Sequence, residues 1–129
     1  MSVGLAVGSR LPAYCTSMGR VMLAALEREE IGAYLADLEL HRHTPKSIVK
    51  KGALATELRR VREQGYSLVD EELELGLRSL AVPVRARSGK VVAAMNTGVH
   101  AARVTRKQMV EQFLPVLREG AERIGLALG

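Results

Sequence analysis

Three consecutive stretches decide the fold: LRSLAVPVRA (Leu77–Ala86), RSGK (Arg87–Lys90) and VVAAMNTGV (Val91–Val99). The two outer stretches are apolar and rich in valine. Between them Ser88-Gly89 offers the backbone freedom of a tight turn, so the pair reads as an antiparallel β-hairpin. Just upstream, Tyr66-Ser67-Leu68-Val69 has the same β character and leaves through an acidic loop, Asp70-Glu71-Glu72, that reaches Gly76. These three strands are the β part of the chain.

Before them the period is helical. From Tyr14 to Leu26, Met18, Val21, Met22, Ala25 and Leu26 recur at three and four and predict one buried face, with Thr16 and Ser17 available as caps. A second helix is predicted over Glu29 to Leu38, with Ile31, Tyr34, Leu35 and Leu38 inward. A third runs from Gly52 to Gln64, burying Leu54, Leu58 and Val61. Gly65 stops it, because glycine adopts the left-handed conformation that ends many helices without strain. Glu39 to Ser47 is a loop, and Val3 to Val7 is a short β-prone stretch closed by Gly8, Ser9 and Pro12. After the hairpin, Thr105 with Gln108 forms a capping box. Met109, Phe113, Val116, Leu117, Ala121 and Ile124 then line a final helix that Pro115 is expected to kink. Three helices, three strands and a helix make an α+β fold, an antiparallel sheet flanked by helices, rather than alternating βαβ units.

With 129 residues, 47% hydrophobic and 26% charged, the chain is sized for one domain with its own core. A single cysteine, Cys15, excludes an internal disulfide and a multi-cysteine metal cage, and fits a reducing, cytoplasmic setting. No apolar run reaches the roughly 18 residues of a membrane helix, so no membrane partner is expected. The net charge of +5 raises nucleic acid as a partner. The cations are scattered from Arg10 to Arg123, mostly beside acids, which reads as solvated helix faces. With only Tyr14, Tyr34, Tyr66 and Phe113 as aromatics, base-stacking platforms are not expected.

Catalytic patterns are sparse. His41 and His43 share a loop without carboxylate or thiol at ligand spacing, so no metal is expected and no cofactor motif stands out. Cys15 at a helix start reads either as a small buried thiol or as a nucleophile. Asp70, Glu71, Glu72 and Glu74 read either as an exposed loop or as acid/base groups. More telling are polar residues set into apolar strands: Ser79 on one arm of the hairpin, Asn96-Thr97 on the other. Buried hydroxyls and amides need partners, and a small polar ligand is one, backbone or water another. Thr16-Ser17-Met18-Gly19 adds amide N–H groups at a helix N-terminus, where a carboxylate binds readily.

The run Val7-Gly8-Ser9-Arg10-Leu11-Pro12-Ala13-Tyr14-Cys15-Thr16-Ser17-Met18-Gly19-Arg20 closely resembles the start of the effector-domain core of IclR-type transcriptional regulators. Thr44-Pro45, Arg62-x-x-Gly65-Tyr66, Asp70-Glu71-Glu72, Leu75-Gly76-Leu77-Arg78-Ser79-Leu80-Ala81-Val82-Pro83-Val84 and Ala93-Ala94-Met95-Asn96-Thr97-Gly98 continue the match in order. The wording around Tyr14 and Asn96 is most similar to the branch that controls protocatechuate and β-ketoadipate catabolism.

The resemblance implies a GAF-like effector-binding domain over residues 1–129, acting on DNA only through a winged helix-turn-helix that this chain does not show. It implies that a small aromatic or dicarboxylic acid is bound by Ser17, Met18, Gly19, Asp70, Leu77, Ser79 and Asn96. Arg20 and Arg78 are then either charge donors or structural ion pairs. It also implies further strands ahead of residue 1 in relatives, an N-terminally incomplete domain here, and assembly as a homodimer or homotetramer. Two other readings stand beside it: an interaction domain without ligand response, and a small enzyme using Cys15.

Overall fold

In a computed structural model of the chain, residues 6–128 are described. The β-prone stretch that begins at Val3 lies, up to Leu5, outside them, and Val7 and Gly8 form a turn. A single 3₁₀ turn, Ala13–Cys15, leads into α1 (Ser17–Ala24). Then come α2 (Arg28–Asp37), α3 (Lys51–Gln64), β1 (Ser67–Asp70), β2 (Leu77–Arg85) and β3 (Val91–His100). The chain ends in one turn of helix, α4 (Arg106–Gln108), a wide π turn over Met109–Phe113, and α5 (Leu114–Ala127).

The strands form one antiparallel sheet in the order β1-β2-β3. The hairpin is as expected, with Gly89 at φ 89° in its turn. Gly65 ends α3 at φ 78°, its N–H donating to the Val61 carbonyl at 2.9 Å. The Thr105–Gln108 capping box is closed in both directions, at 2.8 and 3.1 Å. β1 pairs with β2 only from Ser67 opposite Ala81 to Asp70 opposite Arg78. Pro83 therefore lies where that side of β2 has no strand beside it, the place a residue without an N–H is tolerated.

Each face of the sheet carries a core. On one, Leu80, Val82 and Val84 pack with Met109, Leu114 and Ala121 of the C-terminal helix. On the other, Ala81 and Ala94 meet Val21 and Ala24 of α1 and Val61 of α3. A third cluster, with Leu54 and Leu58 fully buried, joins Tyr14, Cys15 and Leu23 to Ile31, Tyr34, Leu35 and Leu38 of α2. Burying side chains of that size stabilises the fold by about 1.5 to 3 kcal/mol each.

Two expectations need correction. The inner face of α1 is not Met18, Met22 and Ala25, which are exposed, but Ser17, Arg20, Val21, Leu23 and Ala24. Arg20 is buried because its charge is paired, which inverts the polarity pattern of the helix. In the last helix, the break comes as the π turn before Pro115 rather than as a kink at it. A proline at the start of α5 lacks the N–H that would bond back into the preceding turn, and a wide turn absorbs the defect. The turn also shifts the phase of α5. Val116 is 69% exposed and Ile124 is 41% exposed, while Leu114, Ala121 and Gly125 face the sheet.

Candidate functional site

Side chains on paired residues of an antiparallel sheet point to the same face. Ser79 stands opposite Gly98 and Asn96 opposite Ala81, so Ser79 and Asn96 are diagonal neighbours on the α1 face. Leu77 shares that face: a methyl group built on Gly98 would lie 3.5 Å from Leu77 Cδ1. Ser79 is half-buried, Asn96 exposed, and among the described residues neither side chain has a hydrogen-bond partner.

The direction of α1 brings its start to this region. Val21 and Ala24 lie over Ala81 and Ala94, and the following Leu26 borders a cleft with Pro83 and Val91 at the hairpin end. α1 thus runs along β2 in the same sense, and Ser17, Met18 and Gly19 fall toward the Leu77–Ser79 end. Thr16 caps the helix, accepting from Gly19 N at 3.2 Å, which leaves the Ser17 and Met18 amides outside the helical ladder. Gly19 is required here. A Cβ would collide with the Ala13 carbonyl oxygen and the Thr16 hydroxyl. Met18 is 36% exposed.

Asp70 is not brought to the same place. It pairs with Arg78, one residue out of phase with Ser79, and faces the opposite side of the sheet. There its carboxylate accepts from Arg78 Nε at 3.0 Å and Arg106 Nη1 at 3.2 Å. Burial pushes its pKa up, but these two hydrogen bonds, with the charges of Arg78 and Lys46, hold it below the ordinary aspartate value. Arg78 also donates to the carbonyls of Ala101 and Val104, so it clasps the loop after β3 rather than presenting charge to a ligand.

The rest of the acidic loop is engaged in the same way. Glu71, in the left-handed region at φ 59°, accepts from Gly76 N and Lys46 Nζ, both at 2.9 Å, and its pKa is lowered by them. Glu72 binds Arg20 through two hydrogen bonds, while Thr44 and Ser47 donate to the Glu71 and Glu72 carbonyls at 2.6 and 2.8 Å. His43 Nε2 lies 2.8 Å from the Tyr14 hydroxyl. Loop 39–50 is thereby tied to the start of α1, a link that sequence reasoning missed because its partners are 25 to 29 residues apart.

Cys15 is 2% exposed, and burial, only partly offset by the nearby Arg20, pushes its thiol up to about 11. At neutral pH it is a protonated core residue, not a nucleophile. No group of histidine, cysteine and carboxylate side chains among the described residues is placed to hold a metal, and no helix is long and apolar enough to cross a membrane.

Comparison with known proteins identifies the family. Residues 1–126 match the family model described as bacterial transcriptional regulator IclR C-terminal. The chain is 47% identical over 117 residues to the Pca regulon regulatory protein of Pseudomonas putida, covering 91% of this chain and 40% of that protein. It is 38% identical over 121 residues to the p-hydroxybenzoate hydroxylase transcriptional activator of Acinetobacter baylyi, of which it spans 45%. Among solved structures it superposes on a double mutant of the PobR inducer-binding domain from Acinetobacter, in complex with 3-hydroxybenzoic acid. There the TM-score is 0.89 and the identity 37%, over 93% of this chain and 69% of that one. The C-terminal domain of the Escherichia coli regulator KdgR gives a TM-score of 0.83 at 36% identity, over 91% of this chain and 71% of that one. The chain spans less than half the length of the two regulators compared by sequence, which are transcriptional regulators and not enzymes. On the family match over nearly its whole length, this chain belongs to the IclR C-terminal family of bacterial transcriptional regulators.

Proposed function

We propose that this chain is the effector-sensing part of a transcriptional regulator and that it binds a small aromatic or dicarboxylic acid on the α1 face of the sheet. The observation that carries the reading is the pairing register. By it two polar side chains without partners, Ser79 and Asn96, share the α1 face of the sheet with Leu77, on the side toward which the free amides of Ser17 and Met18 fall. In this reading the amides of Ser17 and Met18 hold a carboxylate, with Gly19 allowing the close turn. Ser79 and Asn96 bond the remaining oxygens, and Met18 and Leu77 form the apolar wall. Asp70 acts indirectly, by fixing Arg78 and the end of β1. The complex of the PobR inducer-binding domain with 3-hydroxybenzoic acid supports the ligand class.

Occupancy changes regulation by population shift, since the effector favours whichever arrangement of the whole regulator binds it better. DNA contact belongs to another part of that regulator, a winged helix-turn-helix, and the assembly is a homodimer or homotetramer acting in the cytoplasm. A thermal-shift screen with protocatechuate, 4-hydroxybenzoate, 3-hydroxybenzoate and β-ketoadipate tests the reading. A ligand at a hundred times its Kd stabilises the fold by about 2.7 kcal/mol, a readily visible shift. A cooperatively melting chain that none of them shifts contradicts it.

A second reading has its own observation. The outer edge of β3, ten residues long, pairs with no strand among the described residues, and such an edge is a template for another strand. An assembly role without ligand response predicts concentration-dependent oligomers in light scattering that no carboxylate alters.

A further inference from the structure

At the hairpin end of α1 the molecule holds a concavity that the effector reading does not use. A cleft of ≈ 640 Å³ opens between the C-terminal end of α1 and the β2–β3 hairpin. A smaller one of ≈ 340 Å³ continues it toward α5, the two sharing Gly65, Pro83 and Arg85. Both lie beyond Ser67, where β1 begins, beside the last residues of β2, which have no strand on that side. The first lies within the size range of ligand sites.

Its chemistry is polarised. Val21, Ala24 and Val61, each no more than 4% exposed, give an apolar floor together with Pro83. Arg62, Arg85 and Lys90 line it, and Arg87 and Arg118, with one acid, Glu122, line the continuation. None of these five cations has an ion-pair partner among the described residues, whereas the buried arginines, Arg20 and Arg78, are paired. Arg62 and Arg85 donate only to main-chain carbonyls, of Leu26 at 3.3 Å and Gly89 at 3.1 Å. On the opposite wall Glu27 and Glu30 are occupied in the reciprocal capping box of α2. A polyanion such as a phosphodiester chain meets repulsion from that wall. A single carboxylate on an apolar body meets the cations and the floor and avoids it.

We infer that this cleft is a second small-molecule site, for an amphipathic monocarboxylate whose body rests on Val21, Val61 and Pro83 and whose charge faces Arg85 and Lys90. It is independent of the effector face, which lies at the other end of α1.

Benzoate is the probe, added to the isotope-labelled chain while its backbone amides are followed by NMR. Saturable shifts at Gly65, Gly89 and Lys90 are expected with benzoate, and not with sodium chloride at equal ionic strength. Arg85→Gln and Lys90→Gln change exposed side chains, so the amide pattern elsewhere is retained, and each weakens this event by about tenfold, the value of one charge-assisted hydrogen bond. Ser79→Val leaves it unchanged, whatever it does to binding at the effector face. The inference is overturned if those amides do not saturate, if chloride moves them equally, or if their shifts are lost in Ser79→Val and kept in Arg85→Gln and Lys90→Gln.

Discussion

Arg20 and Glu72 are joined by two parallel hydrogen bonds, 2.7 and 2.8 Å long, and the guanidinium is 1% exposed. Its Nε also donates to the Tyr14 carbonyl at 2.8 Å, so one side chain fixes the 3₁₀ turn, the start of α1 and the acidic loop together. Removing one member of a buried pair leaves the other charged and unsolvated. Glu72→Ala is expected to cost about 3 to 5 kcal/mol in urea unfolding, and the double variant Arg20→Met/Glu72→Leu distinctly less than the single one. Equal losses in the two would contradict the pairing argument.

Two glycines are set by close approach. A Cβ at Gly19 meets the Ala13 carbonyl, and one at Gly125 meets the Arg85 carbonyl where α5 crosses the end of β2. Gly19→Ala and Gly125→Ala should each lower stability by about 1 to 3 kcal/mol, through overpacking against backbone that cannot rotate away. Gly32→Ala, where nothing lies within 4 Å, should not destabilise. Circular dichroism melts of the three variants check the contrast.

Ser67 is fully buried and its hydroxyl has no partner. An unsatisfied buried hydroxyl costs about 1 to 3 kcal/mol, and alanine removes only that group. Ser67→Ala should therefore raise the melting temperature, and a drop would show that the hydroxyl has a role in the fold.

Asp70 and Glu71 contribute to the acid limb of stability. Both have folded-state pKa values below their ordinary ones, Asp70 through Arg78 and Arg106 against the opposing effect of burial, Glu71 through the Gly76 N–H and Lys46. A lowered folded pKa contributes stability that is present above the unfolded value and is lost as pH falls through the folded one. Urea midpoints should thus hold from pH 7 to about 5 and fall below about 4, the ordinary carboxylate range. Asp70→Asn should be less stable at pH 7 and show a shallower fall. An unchanged acid slope in that variant would remove Asp70 from the explanation.

The features legible in the sequence were local. The hairpin, the Gly65 stop and the Thr105–Gln108 box each depend on residues within a few positions of one another, and all stand as read. Of the buried face of α1, Val21 is legible but Arg20 is not, since Arg20 looks like a surface residue until Glu72, 52 positions away, is folded against it. The phase of α5 was lost for a similar reason: a π turn leaves no trace in hydrophobic periodicity. At the candidate site Ser79 and Asn96 were readable as polar interruptions of strands. That they share a face, and that Asp70 does not, is decided by register alone, which one residue of slip reverses.

The most direct measurement is calorimetric titration of the chain with whichever carboxylate shifts its melting, alongside Ser79→Val and Asn96→Leu. A saturable binding event is expected that weakens by about tenfold or more in each variant, the loss expected from removing one hydrogen bond to a charged ligand, while both variants still melt cooperatively. Affinity unchanged in both would contradict the placement of the effector on this face.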